Sequence, residues 1–136
     1  MFKKKRPVGL LEPSVENFET IIGPAAEVHG RIVTSKGLRV DGKIIGNIEA
    51  QPGSEVCVAL GKTGAVMGDI YAYRVLVAGV IEGNIYATER VELHDGSEVR
   101  GDVTYGQLGI EHGAKLNGLM IARANESTDE LEESNS

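Results

Sequence analysis

Six nearly evenly spaced copies of a five-residue pattern of apolar and polar positions lie between Val28 and Met120. Each copy has an apolar residue, any residue, glycine, any residue and a second apolar residue. The copies are centred on Gly30, Gly46, Gly68, Gly83, Gly101 and Gly118, with spacings of 16, 22, 15, 18 and 17 residues. Between the copies lies a second pattern, two apolar residues separated by one other residue, as in Leu38 and Val40. A near-regular period of this kind is typical of a repeat architecture.

The spacing of the apolar residues predicts short strands. Gaps of two or four residues place side chains on one side of a strand, and no stretch keeps the spacing of a packed helix. A single copy cannot bury its own inner side, whereas copies stacked in parallel about 4.8 Å apart form a continuous core. We therefore predict an all-β fold, a right-handed parallel β-helix of about six turns. The 22-residue spacing predicts a loop at residues 60–64.

Composition divides the chain into three parts. Residues 1–20 hold four clustered basic residues and two prolines and are predicted to be a flexible basic tail. Residues 21–123 contain the β-helix. Residues 124–136 carry five acidic residues and no basic one, and are predicted to be a disordered acidic tail.

Charge and cysteine content narrow the possible roles. The net charge of −6 argues against a dedicated nucleic-acid binder, which is normally basic. The single cysteine excludes an internal disulfide and suits a reducing cytosol. Neither a signal peptide nor a membrane-spanning apolar run is recognisable, so we expect a cytoplasmic protein.

Stacking the turns brings polar residues of neighbouring turns together. His94 is expected beside Glu111, and Asp95 beside His112, a set that would suit a metal ion. Charge pairs that stabilise adjacent strands are the favoured interpretation, at about 0.2–1 kcal/mol per pair. A further pair of this kind is predicted for Glu82 with Arg100, and Asp69, Asn84 and Asp102 are predicted to form a polar ladder beside the glycines.

Three other features are interpreted as structural. Tyr71 and Tyr86 occupy equivalent positions and are expected to stack on the surface. Cys57 and Leu76 alternate with inward positions and are expected to form a small exposed apolar patch. Residues 61–63 match only half of a phosphate-binding loop, and no helix follows them. We predict no catalytic residue, metal site or cofactor.

The two ends of the β-helix are the predicted functional sites. A terminal turn that nothing covers presents unpaired backbone groups to another chain. We predict a polymer interface at each end of the β-helix. At the C-terminal end it comprises Ile110, Leu116, Leu119, Met120 and Ile121. At the N-terminal end it comprises Ile21, Ile22, Val28 and Ile32.

The basic start of the chain is a candidate membrane anchor. The predicted targeting residues are Met1, Phe2, Lys3, Lys4, Lys5 and Arg6. Each basic residue contributes about 1 kcal/mol near an anionic surface, and the phenylalanine adds apolar insertion. Many copies in one polymer would make attachment firm through avidity.

The chain resembles the bactofilins, a bacterial family of polymer-forming cytoskeletal proteins. The resemblance rests on the opening residues 1–5, the repeated glycine pattern, and the segments Leu38 to Ile44 and Gly64 to Ile70. It implies a right-handed β-helix that assembles end to end, without nucleotide, into non-polar filaments. It also implies membrane association through the N-terminal tail and a scaffold role in cell shape or for cell-wall enzymes. The family often has a phenylalanine in the last turn, where this chain has Met120 or Ile121.

Two other functions remain open at the level of sequence. A hexapeptide-repeat acyltransferase would be a compact trimer with His94 or His112 as the catalytic candidate, but a sustained six-residue period is missing. A monomeric binding module would use the face that carries Tyr71 and Tyr86.

Overall fold

A computed structural model of the chain describes residues 17–124. These residues form sixteen β-strands and no helix, and hence contain no helix able to cross a membrane. The strands are β1 Phe18–Ile22, β2 Glu27–His29, β3 Ile32–Thr34, β4 Gly37–Val40, β5 Lys43–Ile45, β6 Ile48–Ala50, β7 Cys57–Leu60, β8 Ala65–Met67, β9 Ile70–Val77, β10 Val80–Glu82, β11 Ile85–Leu93, β12 Glu98–Arg100, β13 Val103–Tyr105, β14 Gln107–Ile110, β15 Lys115–Asn117 and β16 Met120–Ala122.

The strands stack into a parallel β-helix with three faces. Face A runs β1-β4-β7-β9-β11-β14, and face B runs β2-β5-β8-β10-β12-β15. Face C runs β3-β6-β9-β11-β13-β16, because the long strands β9 and β11 bend from face C into face A. Each face has six strands, so the chain makes six turns. The predicted all-β parallel β-helix is confirmed, and its handedness stays a prediction.

The core consists of columns of like side chains. On face C, Ile32, Ile48, Ile70, Ile85, Val103 and Met120 are aligned by strand register. On face B the column is Val28, Ile44, Val66, Ile81, Val99 and Leu116. The four middle members of each column are at most 1% exposed. Apolar burial contributes about 25 cal/mol per Å², so these columns provide much of the driving force for folding.

A glycine column explains why the repeated pattern contains glycine. The six repeat glycines have φ between +132° and +158°, a region that side chains rarely adopt. A Cβ at Gly83 would lie 2.0 Å from the carbonyl oxygen of Gly68 in the turn below. The backbones of successive turns therefore approach too closely at this corner for any other residue.

The structure corrects the position of the extra residues in the second turn. Residues 51–56 separate β6 from β7, whereas two residues separate β3 from β4, and β9 and β11 run through the equivalent corner unbroken. Within residues 60–64, where we predicted the loop, Leu60 ends β7 and residues 61–64 form a four-residue corner like those after β11 and β14. Pro52 and Gly53, with φ +83°, form the turn that the extension requires.

The first strand begins inside the segment that we assigned to the N-terminal tail. Strand β1 starts at Phe18 and pairs in parallel with β4. The ordered β-helix thus begins three residues before the predicted boundary at residue 21.

Candidate functional site: the two ends of the β-helix

The C-terminal turn consists of three strands that each have a partner on one side only among residues 17–124. These strands are β14, β15 and β16. Ile110, Leu116 and Met120 are the last members of the inward columns, and nothing of the described chain covers them. Ile110 is 46% exposed and Met120 53%. The end therefore presents an open section through the core.

Leu119 and Ile121, which we predicted at the same end, lie on outward columns. Leu119 is the last residue of a column of otherwise polar side chains. In this column each side-chain oxygen accepts a hydrogen bond from the backbone N–H of the equivalent residue in the next turn. Asn47, Asp69, Asn84 and Asp102 each accept one such bond, and the last of these comes from Leu119 at 3.0 Å. Leucine has no side-chain acceptor, so the ladder ends there. Ile121 lies opposite Thr104 on the outside of face C.

The N-terminal turn is the equivalent open end. Ile22, Val28 and Ile32 begin the inward columns and are half-buried. Ile21 lies opposite Arg39 on the outside and is 62% exposed. The structure thus brings three of the four predicted residues together, with Ile21 at the edge.

Strand register adds residues to both ends that sequence reasoning missed. Leu108 ends the column that begins at Thr20, while Thr34 lies opposite Ala50 in the first two turns and Ala122 lies opposite Tyr105 in the last two. The position of Leu108 could have been predicted from the sequence, because this residue belongs to the second apolar pattern. The positions of the two threonines and the alanine could not have been predicted in this way, since only the register reveals them.

Backbone groups at the ends are aligned for a further strand. Gly101 and Val103 donate their N–H groups to the last turn, at 3.0 and 2.8 Å. The equivalent N–H groups of Gly118 and Met120 therefore point away from the array. At the other end, Gly30 donates to Ile45 O in the second turn, so the equivalent carbonyl of His29 points to the N-terminal edge of the described residues. Open edges of this kind are templates for strand pairing.

Side-chain contacts between turns agree with the predicted polar columns. Arg100 Nη1 lies 2.8 Å from Glu82 Oε2. His94 Nδ1 lies 3.4 Å from Glu111 Oε2, and the Asp95 N–H donates to Glu111 Oε1 at 2.7 Å. Residues 17–124 contain no group of three or more acidic, histidine or cysteine side chains placed to hold a metal ion. The contacts hold adjacent turns together.

The predicted tyrosine pair is also confirmed. The Tyr71 and Tyr86 rings stack with centroids 4.7 Å apart and planes at 10°. Desolvation, with the charge of Asp69 as a second cause, raises the pKa of Tyr71 above its ordinary value. Nearby, a hydrogen bond from Arg74 lowers the pKa of Glu89.

One predicted surface feature is wrong. Cys57 is only 3% exposed, and Leu76 is half-buried, so they do not form an exposed apolar patch. Alternation shows which residues share one side of a strand, but it does not show how far neighbouring strands and loops cover them. Cys57 is the first residue of β7, directly after the 51–56 extension, and lies opposite Arg74.

The predicted membrane-targeting residues Met1 to Arg6 lie outside the described residues. Their role stays a prediction.

Taken together, the described residues form a parallel β-helix whose apolar columns are open at both ends. The sequence profile of the Bactofilin family, described as polymer-forming cytoskeletal, matches residues 20–120. The chain belongs to the bactofilin family, a family of polymer-forming cytoskeletal proteins.

Two relatives come from Myxococcus xanthus (strain DK1622). Bactofilin BacO is 31% identical over 99 residues, which cover 73% of this chain and 75% of BacO. Bactofilin BacP is 29% identical over 101 residues, which cover 74% of this chain and 40% of BacP. The matched region thus spans less than half of BacP. No solved structure matches this chain.

Proposed function

We propose that this bactofilin is a non-enzymatic structural protein that polymerises by stacking the ends of its β-helix, without nucleotide or other cofactor. The observation that carries the proposal is the pair of open ends, where core columns and strand edges stop without a partner in the described chain. Burial of Met120 and Ile110 against a second copy would remove apolar surface from water, and new strand pairing would satisfy the edge N–H and C=O groups. Both contributions come from the protein itself.

The dependence on nucleotide has a direct test. Purified full-length protein is passed through a desalting column with EDTA and centrifuged at high speed. We expect most of it to pellet as polymer, with no change when ATP or GTP with magnesium is added. A soluble protein that pellets only after nucleotide is added would overturn this part of the proposal.

We further propose that the filaments are non-polar, with C-terminal ends facing C-terminal ends and N-terminal ends facing N-terminal ends. In parallel pairing the N–H and C=O of one residue point to the same side of the strand, so both groups of Met120 point to the open edge. Such a residue can exchange both hydrogen bonds with its own copy about a two-fold axis. The C-terminal ends of the two copies would then meet, and Leu119 of one copy would lie close to Leu119 of the other.

Disulfide cross-linking separates the two filament types. In a non-polar filament, Leu119→Cys alone should form dimers on mild oxidation, because equivalent ends meet. A head-to-tail filament would continue each column, so Leu119 would meet Arg31 of the next copy. Dimers that appear only in the double variant Leu119→Cys/Arg31→Cys, and not in either single variant, would contradict the non-polar arrangement. Wild-type protein, with Cys57 buried, is the background control.

We also propose that residues 1–6 attach the filaments to the inner face of the cytoplasmic membrane. Four positive charges and a phenylalanine in six residues support this proposal. Anionic lipids attract the basic side chains, and the phenylalanine ring can insert into the apolar part of the membrane. The test is co-pelleting with phosphatidylglycerol vesicles. Deletion of residues 2–6 should abolish vesicle binding and leave polymerisation intact, whereas unchanged binding would refute the anchor.

A membrane-bound polymer with a long repetitive surface suits a scaffold, and we propose a role in cell shape or cell-wall organisation. The clients would be cell-wall enzymes or other proteins that the polymer concentrates at one place. Fluorescent fusions in cells should form membrane-associated structures that disappear in a variant with disrupted ends. Loss of those structures without any change in cell outline or wall growth would refute the proposed role.

A further inference from the structure

A groove runs along the outside of face A, parallel to the axis of the β-helix. Its volume is about 830 Å³. It is lined by Phe18 in the first turn, Arg39 in the second, Ala59 in the third, Leu76 and Ala78 in the fourth, and Glu111 in the sixth. The groove thus extends over the whole length of the array, about 24 Å at 4.8 Å per turn.

The register of face A explains the groove. Arg39, Ala59, Leu76 and Glu92 occupy one outward column. Ala59 and Leu76, in the third and fourth turns, are the small or apolar members of this column that line the groove, and Arg39 lines it on the N-terminal side. Together with Ala78 they give the middle turns an apolar lining.

The charges on the groove differ between its two halves. Near the N-terminal end, Arg39 Nε donates to Asp41 Oδ2 at 2.9 Å, and the exposed Lys62 lies on the rim. Near the C-terminal end, the lining includes Asp95 and Glu111. A chain that enters beside Phe18 would pass the Arg39–Asp41 pair, then the apolar residues of the middle turns, and would meet negative charge at the far end.

We propose that the groove binds the N-terminal segment of the same chain, residues 1–16. This segment joins the described chain immediately before Phe18, which itself lines the groove. Its order of residues matches the groove, with Val15, Leu11 and Leu10 close to the junction and four basic residues, Lys3 to Arg6, further away.

The length of the segment is sufficient for this path. Leu11 is seven residues from Phe18, which corresponds to at most about 23 Å of extended chain. The fourth turn, with Leu76 and Ala78, is three turns or about 14 Å away. Lys5 and Arg6 then reach the turns that carry Asp95 and Glu111. The acidic C-terminal segment, residues 125–136, has the wrong charge for that end.

Docking and membrane attachment would use the same basic residues. The groove would therefore compete with an anionic membrane for residues 3–6, a consequence that rests on the proposed membrane role. Docking itself does not depend on that role and is tested without lipid.

The test is disulfide formation in the full-length polymer. A variant with Leu11→Cys/Ala78→Cys should form an intrachain disulfide under mild oxidation at least tenfold faster than two matched pairs. The first control pair, Leu131→Cys/Ala78→Cys, places the partner in the C-terminal segment. The second, Leu11→Cys/Thr104→Cys, places it on face C. Equal rates in all three variants would overturn the proposal, because they would show unrestricted motion of the segment.

Gel mobility without reductant distinguishes the source of the segment. An intrachain bond leaves the subunit at monomer mass, whereas a segment from a second copy gives dimers, and dimers from the Leu11/Ala78 pair would also overturn the proposal. When Lys3→Glu, Lys4→Glu and Lys5→Glu are added to the Leu11→Cys/Ala78→Cys variant, disulfide formation should slow severalfold. An unchanged rate in that variant would refute the electrostatic part.

Phosphatidylglycerol vesicles test the competition. They should lower the rate in the Leu11/Ala78 pair at least threefold, and neutral phosphatidylcholine vesicles should not. An equal rate with both lipids would show that docking and membrane binding do not compete.

Discussion

The middle turns and the end turns of this β-helix share one sequence pattern but differ in what covers them. On face C, Ile48, Ile70 and Ile85 are fully buried, whereas Met120 in the same column is 53% exposed. Strand register places these side chains in equivalent positions. The difference therefore comes from the presence or absence of a neighbouring turn. One repeat provides a core in the middle and a contact surface at each end.

The largest expected difference between middle and end concerns the glycine column. Gly83→Ala should destabilise the fold by about 4 kcal/mol or more, because the new Cβ would collide with a backbone carbonyl below it. Gly30→Ala has nothing within 4 Å of the new Cβ, so only the backbone strain of its φ of +132° remains, about 1–3 kcal/mol. Denaturant unfolding of both variants measures the difference, and equal losses would show that contact between turns does not require the glycine.

A core column gives the second comparison. Ile85→Ala should cost about 2–5 kcal/mol, the usual range for a fully buried aliphatic side chain. Met120→Ala should change the unfolding free energy of the subunit by less than about 1 kcal/mol, because the side chain is half exposed. The measurement is made at a protein concentration below assembly. A large loss for Met120→Ala under those conditions would mean that the last turn is covered within the subunit.

The stacked tyrosines should contribute less. Tyr71→Ala is expected to destabilise the middle turns by about 0.5–1.5 kcal/mol through loss of the ring stack. Thr104→Ala, on the same outward column one turn beyond Tyr86, is the control and should be nearly neutral. Thermal unfolding followed by circular dichroism compares the two variants, and equal effects would remove the stack as a source of stability.

The smallest expected effect depends on pH. The hydrogen bond from Arg74 lowers the pKa of Glu89 below its ordinary value of 4.5. The resulting stabilisation is complete above 4.5 and is lost as the pH falls through the lowered pKa. Glu89→Gln and Arg74→Met should therefore lose less stability than wild type on acidification below pH 4.5. Parallel stability curves for all three proteins would contradict the assignment.

Much of the fold could be predicted from the sequence because the repeat makes each turn a copy of the last. Once the turns are aligned, Leu93 must lie opposite Ile110 and Glu82 opposite Arg100, and the structure confirms both pairs. The polar ladder through Asp69, Asn84 and Asp102 follows from the same alignment. Equivalence between turns is therefore the information that the sequence carries most directly.

Features that occur once were harder to predict. The 51–56 extension was misplaced because glycine spacing gives only the total length of a turn, not the corner that holds the extra residues. The burial of Cys57 was missed because alternation does not describe coverage by neighbouring strands. Thr20, Thr34 and Ala122 belong to the end sections only through register, since their side chains are not characteristic of a contact surface.

The most direct test of the account is negative-stain microscopy of purified full-length protein in buffer without nucleotide. We expect filaments from wild type and short or single particles from Leu119→Lys/Ile121→Asp, in which charges replace apolar residues at the C-terminal end. Met67→Lys/Tyr86→Asp replaces two exposed apolar residues on the sides with the same charges and should still form filaments. Long filaments from the end variant, or their loss only in the side variant, would contradict assembly through the ends.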